Sequence, residues 1–305
     1  MDHALPRQTG GPLLDPAVLA SIADLEFVAR VTVDGTVTGL HRSPFHGYSA
    51  EFSQYRHYRL GDDLKYVDWK LLARTDRIYT RQYRETTNMV AQVALDTSGS
   101  MAFRGASGVS KFEYARMIAA ALAHLVSRQG DGIGLVTFAD QVGRYLPSRS
   151  GASHLRSLLV TLANTRPAGG TAAGTALRRA IDLLRRRGVL FVISDLYDEG
   201  DHVARELRRA ARIGHEVAVF HVLTREELDF PYAGDVELED LETGALLRTG
   251  SGAADPYRRA VAAFMDRWRA RCLQDGILYT RVLTDAPLDA TLRSYLLGRG
   301  RGPRR

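Results

Sequence analysis

The sequence predicts an α/β protein built on an open, mainly parallel sheet. Short apolar runs at 90–95, 133–138, 189–193 and 216–222 have the length and continuous hydrophobicity of strands buried on both faces. Helical stretches with one apolar face separate them, and this alternation implies a parallel sheet covered on both sides. Oxygen-bearing residues also gather just past the ends of two of these runs, where open sheets of this class collect ligands.

Taken in order, residues 1–15 hold Pro6, Gly10, Gly11 and Pro12 and read as a loose leader. From Pro16, the positions Val18, Leu19, Ile22, Leu25, Val28 and Ala29 fit one face of a helix. Residues 31–38 look instead like two short strands around the Asp34-Gly35 turn. Residues 41–85 are dense in aromatic and charged side chains, without helical or strand periodicity. The stretch 112–127 is helical, with Phe112, Ala115, Ala119, Leu122 and Val126 on one face. An edge-like strand is expected at 143–146, and helices at 155–162, 173–187 and 202–213. Residues 225–255 break the alternation. They are turn-rich and acidic (Glu226, Glu227, Asp235, Glu237, Glu239, Asp240, Glu242), as an inserted segment would be. A helix at 257–272, a strand at 277–283 joining the same sheet, and a helix at 288–297 complete the pattern. The expected organisation is a leader (1–15), a segment packed on the core (16–88), the α/β domain (89–298) with its insertion, and a basic tail (299–305).

Composition narrows the class. The chain has 305 residues, 45% hydrophobic and 25% charged, enough for a sizeable core in one large domain or two modest ones. No apolar run approaches the ~20 residues a membrane span needs. Met1-Asp2-His3 carries no basic flank before an apolar stretch, so no signal peptide is expected and a cytoplasmic location is. The single cysteine, Cys272, permits no intrachain disulfide. The net charge of +6 rests on arginine, since only Lys65, Lys70 and Lys111 are lysines. Arg178, Arg179, Arg185, Arg186, Arg187, Arg205, Arg208, Arg209 and Arg212 read as solvated helix faces, or as a surface for an anionic partner such as nucleic acid.

The first strand of the alternation ends in Asp96-Thr97-Ser98-Gly99-Ser100, a D-x-S-x-S motif. A carboxylate and two hydroxyls on a tight loop suit a hard cation, because magnesium takes small oxygen ligands in octahedral array. By itself this motif is also what a serine-rich helix cap looks like. Two further features raise its specificity. Gly169-Gly170-Thr171 precedes the helix beginning near residue 173, and Asp195 follows the strand at 189–193. A parallel sheet brings these separate loops to one edge.

This combination resembles the von Willebrand factor A-type domain. That domain's metal-ion-dependent adhesion site uses D-x-S-x-S, a threonine from a second loop and an aspartate from a third. Asp96, Ser98, Ser100, Thr171 and Asp195 match those positions. The resemblance implies one Mg2+ or Mn2+ ion, held by three hydroxyls and two carboxylates directly or through water, with a position left for a partner's Asp or Glu. A second resemblance covers about residues 40–298. His41-Arg42-Ser43-Pro44, Glu51-Phe52, Tyr55-Arg56, Tyr58-Arg59, Gly61-Asp62-Asp63, Asp68-Trp69-Lys70 and Ala73-Arg74-Thr75 are similar to the signature of domain-of-unknown-function family fifty-eight, DUF58. That family's genes often lie beside MoxR-type AAA+ ATPases, which makes such an ATPase the partner the resemblance implies. Within the signature, Arg56, Asp62, Asp63, Asp68 and Arg74 could form a polar network, as could Glu51, Arg59, Arg81 and Arg84. Tyr55, Tyr58, Tyr66 and Trp69 are expected to pack against the sheet, either as structural glue or as a docking face.

Enzyme readings fare less well. Haloacid-dehalogenase-like phosphatases carry D-x-D at the strand end, whereas Ser98 stands at the second acidic position here. There is no nucleotide P-loop, no H-E-x-x-H and no G-x-S-x-G around Ser98. His154, His215 and Cys272 sit where packing residues are common. The sequence favours a non-enzymatic, metal-dependent adaptor. A nucleic-acid-binding protein and an unrecognised metal-dependent hydrolase are the alternatives.

Overall fold

The computed structural model describes residues 16–37, 50–59, 62–85, 89–170, 173–184, 186–198, 200–250 and 252–301. Helix α1 (Pro16–Val37) comes first. Strand β1 (Ala50–His57), helix α2 (Trp69–Thr75) and strand β2 (Tyr79–Glu85) follow. The alternating region comprises β3 (Val90–Asp96), α3 (Lys111–Arg128), β4 (Gly132–Phe138), β5 (Val142–Arg149), α4 (Ala152–Asn164), α5 (Ala173–Asp182), β6 (Val189–Ser194), α6 (His202–Arg212) and β7 (Glu216–Leu223). Then come α7 (Arg225–Asp229), the hairpin β8 (Val236–Glu239) and β9 (Leu246–Thr249), α8 (Ala254–Gln274), β10 (Leu278–Leu283) and α9 (Leu288–Arg301).

The main sheet has the order β10-β7-β6-β3-β4-β5. Its strands run parallel except β5, which pairs antiparallel with β4 at the edge. Read from β3, this is the doubly wound order, whose switch point falls between β3 and β6. Side chains alternate along each strand and feed two cores. Val93, Leu95, Phe191 and Ile193 pack with α1, α3, α4 and α9, whereas Ala94, Leu190 and Val192 pack with α5, α6 and α8. The late strand β10 does join this sheet, beside β7.

Helix α1 resolves the reading of residues 31–38 against a hairpin: the helix continues through Asp34-Gly35 to Val37. Ile22, Leu25, Ala29 and Val33 form a buried stripe that packs into the main core, and Thr36 donates to the Thr32 carbonyl at 2.7 Å. That tertiary stripe outweighs the strand preference of the β-branched run.

The signature segment also corrects an expectation. Strands β1 and β2 pair antiparallel, from Ala50 opposite Glu85 to His57 opposite Tyr79. Asp68 caps α2, accepting from the Lys70 and Leu71 amides at 3.0 Å each, and Tyr55 donates to it at 2.9 Å. Arg56 grips both oxygens of Asp62 at 2.8 and 2.9 Å, and Asp63 caps the turn at 64–66 through the Lys65 amide. These contacts join β1, the 64–66 turn and α2 within the segment. Trp69 is not packed against the sheet but 60% exposed, and Arg74 is exposed as well. Helix α2 has no buried residue, and among the described residues nothing covers its first aromatic. Trp69→Ala is expected to change unfolding free energy by less than about 0.5 kcal/mol, checked by urea melts; a loss of several kcal/mol would mean the ring is buried in solution. The leader, residues 41–44, Gly61 and the tail beyond 301 lie outside the described residues, as do the side chains of Glu51, Arg81 and Arg84.

Candidate metal centre

At the switch point, β3 delivers Asp96 and β6 delivers Asp195 into neighbouring loops. Both are buried, Asp96 at 2% exposure and Asp195 at 1%. Asp96 accepts from the Ser98 amide at 2.9 Å and from the Ser194 hydroxyl at 2.5 Å. Ser194 in turn accepts from the Leu196 amide at 2.9 Å. Leu196 holds a left-handed backbone (φ 58°), strain of order 1–3 kcal/mol stored beside Asp195. The Ser98 and Ser100 hydroxyls lie 3.1 Å apart. The second loop is tied on through backbone bonds: Gly99 N–H to the Gly169 carbonyl at 3.0 Å, and Ala168 N–H to the Thr97 carbonyl at 2.8 Å. Four of the five expected residues thus sit in loops at one sheet edge. Thr171 lies outside the described residues.

The donor set fits a small divalent ion on two counts. Adjacent oxygens in an octahedral magnesium shell are about 3.0 Å apart, given metal–oxygen distances of ~2.1 Å, and the two serine hydroxyls stand at that spacing. Burial, reinforced by the charge of Asp195, pushes the Asp96 carboxyl up to about 7, so Asp96 has hydroxyl and amide partners in Ser194 and Ser98 but no cation against it among the described residues. Among the described residues, no cluster of three or more His, Cys, Asp or Glu gathers as a metal site; an ion here would rest on two carboxylates and hydroxyls.

Three residues that sequence reasoning missed complete the site. Lys111, the first residue of α3, is 1% exposed, and its ammonium contacts Asp195 at 2.7 Å and Glu227 at 2.6 Å. Burial alone would lower its pKa, but the facing Asp195 and Glu227 outweigh that and hold it above the usual lysine value. The same ammonium lies 5.0 Å above the Tyr197 ring. Glu227 is oriented by a capping box, its other oxygen accepting from the Thr224 amide at 2.7 Å and hydroxyl at 3.1 Å. Glu242, on the turn between β8 and β9, hydrogen-bonds with Ser100, and burial raises its pKa against that bond. The turn rests on the D-x-S-x-S loop so closely that a Cβ on Gly99 would lie 2.7 Å from the Leu241 carbonyl oxygen. Below the site, burial pushes His221 down to about 4 despite Asp195 nearby, so it is neutral at physiological pH.

Residues 54–271 match the family model described as "Protein of unknown function DUF58". The chain belongs to the DUF58 family. It is 32% identical over 265 residues to Uncharacterized protein Rv1480 of Mycobacterium tuberculosis, covering 85% of this chain and 82% of that one. It is 31% identical over 163 residues to Uncharacterized protein MAV169 of Mycobacterium avium, covering 52% of this chain and 95% of that one. Among solved structures, it is similar to conserved hypothetical protein BatB from Bacteroides thetaiotaomicron (TM-score 0.47, 21% identity, 70% of this chain, 98% of that one). It is also similar to a von Willebrand factor type A structure from Catenulispora acidiphila (TM-score 0.33, 15% identity, 48% and 35% covered). The DUF58 chain has a mixed α/β fold, with its D-x-S-x-S motif beside the switch point of a mainly parallel six-stranded sheet. Among its described residues no helix is long and apolar enough to cross a membrane.

The arginine-rich faces are partly neutralised within this DUF58 chain. Arg208 pairs with Asp275 at 2.9 Å, and Arg209 with Asp182 and Glu206 at 2.8 and 2.7 Å. Paired guanidiniums contribute less to a phosphate-binding surface than their count in the sequence suggests.

Proposed function

We propose that this DUF58 protein is a non-enzymatic adaptor that docks a protein partner through a divalent cation, Mg2+ or Mn2+. The observation that carries this reading is the buried Asp96–Asp195 pair beside two serine hydroxyls at octahedral-edge spacing. Asp96, Ser98, Ser100, Thr171 and Asp195 would hold the ion, which would supply a Lewis-acidic position for a carboxylate. The chain's own residues do the rest. Lys111 neutralises Asp195 and Glu227 from beneath, leaving the site with little spare negative charge to repel an incoming acid. Glu242 lies against Ser100, so a partner's Asp or Glu has to displace the β8–β9 turn. The gene association of the family makes a MoxR-type AAA+ ATPase the partner to try first.

Calorimetric titration tests the metal. Millimolar magnesium or manganese is expected to give a binding heat that Ser98→Ala/Ser100→Ala removes, and Glu242→Gln is expected to strengthen metal-dependent docking to the ATPase by opening the turn. Docking that survives chelator undiminished would refute the reading, whereas loss in salt alone would point to arginine-driven contact.

A further inference from the structure

We propose that the cleft between Arg104, Arg116 and Arg166 is a second anchoring point for the docking partner, taking an acidic side chain of the same polypeptide that reaches the metal position. This rests on the protein-docking reading of the metal centre. The cleft holds about 360 Å³, and Ser21, Ala102 and Glu113 are among its other lining residues. Its charge is unbalanced. Arg116 projects from α3 with its guanidinium 5.9 Å over the Phe112 ring, and its Nε is buried with no hydrogen-bond partner among the described residues. Arg166 is held at the end of α4, donating to the Ala163 and Thr165 carbonyls at 2.7 and 3.0 Å. The lining carboxylate, Glu113, is already engaged by Arg104 at 2.9 Å and by the Ser110 amide and hydroxyl at 2.8 and 3.0 Å. Burial and then the neighbouring Arg166 charge hold Arg116 below the usual arginine value, and the Glu113 carboxylate offsets them only in part.

The cleft is linked to the candidate metal loops along the chain. Ala102 lies two residues beyond Ser100. Arg166 opens the loop that runs through Ala168, bonded to Thr97, to Gly169, bonded to Gly99. One acidic segment can therefore address both positions. A carboxylate fits the cleft better than a phosphate does. Guanidinium forks match carboxylate and phosphate alike, but the α3 N-terminus that would cradle a phosphate is closed by its own Ser110–Glu113 capping box. The Glu113 carboxylate there repels a dianion more than a monoanion.

The test is fluorescence anisotropy of a labelled hexaglutamate peptide with the full chain, in magnesium and in chelator. Arg116→Gln and Arg166→Gln are each expected to weaken peptide binding by about tenfold or more, the scale of a lost charged hydrogen bond. Arg116→Lys is expected to lose less, since it keeps the charge but not the fork. The melting curve of Arg116→Gln should not fall, because it removes a half-buried charge, whereas Arg166→Gln should melt slightly lower through loss of its bonds to the Ala163 and Thr165 carbonyls. Wild-type peptide affinity in well-folded Arg116→Gln and Arg166→Gln would overturn the proposal. So would inorganic phosphate binding that is lost in Arg116→Gln while peptide binding is not. If the arginine variants lose peptide but chelator and Ser98→Ala/Ser100→Ala change nothing, the cleft stands and the metal reading fails. If only the metal arm responds, the cleft fails and the metal reading stands.

Discussion

Lys111→Met is expected to lower the unfolding free energy by about 3–5 kcal/mol at neutral pH, the cost of stranding a buried charge without its partner. The ammonium is nearly inaccessible and serves two carboxylates at once, Asp195 and Glu227. Removing it leaves both facing each other across a dry contact. Methionine keeps most of the volume, so the loss reports charge rather than a cavity. The pH dependence has a definite sign. The Lys111 pKa is raised above its unfolded value of 10.5. Its contribution is therefore fully present below that value and fades as pH rises through the folded pKa. The alkaline loss of stability should be smaller in the variant. Urea melts across pH check this, and a neutral-pH loss below about 1 kcal/mol would reduce the contact to an ordinary surface pair.

Asp96→Asn is expected to stabilise the metal-free protein by about 2 kcal/mol at pH 8. Burial, then the charge of Asp195, pushes the Asp96 carboxyl from 3.8 to about 7. Between those values the folded state holds a proton that the unfolded state has lost, so wild-type stability falls as pH rises through this window and levels off above it. At 1.36 kcal/mol per unit the ceiling is about 4 kcal/mol. The asparagine amide takes some of this back, because it meets Ser194, whose oxygen already accepts from Leu196. The charged groups in play are Asp195 opposite and Lys111 behind it. Thermal melts in chelator at pH 5 and pH 8 should show the gain at the higher pH and little of it at the lower. A variant that is less stable than wild type at pH 8 without metal would mean that Asp96 carries no uncompensated charge.

Much of the fold was legible because its cause is local. The runs that became β3, β4, β6 and β7 are apolar on both faces, and only a strand inside a covered sheet needs that. D-x-S-x-S and Asp195 could be placed at one edge because strand ends in a parallel sheet share a side. DUF58 signature residues Arg56, Asp62 and Asp68 were recognisable as a set, and their contacts are short in sequence. Two capping boxes, Ser110–Glu113 and Thr224–Glu227, were also written in the sequence as S-x-x-E and T-x-x-E, and they would have marked the helix start at Lys111 and the orientation of Glu227. Lys111 itself carried a faint signal, as one of three lysines in an arginine-rich chain. What tertiary structure alone decided depends on distance along the chain. Lys111 reaches Asp195 across 84 positions and Glu227 across 116, and no periodicity encodes which buried charges will meet. The turn at Glu242 read as a solvated acidic insertion until folding laid it on Gly99. Residues 31–38 read as two short strands around Asp34-Gly35 until Val33 and Thr36 found a core to enter, and Trp69 read as a packing residue until it proved exposed on α2. Local chemistry sets which element a segment prefers, whereas burial and charge compensation are properties of the assembled molecule.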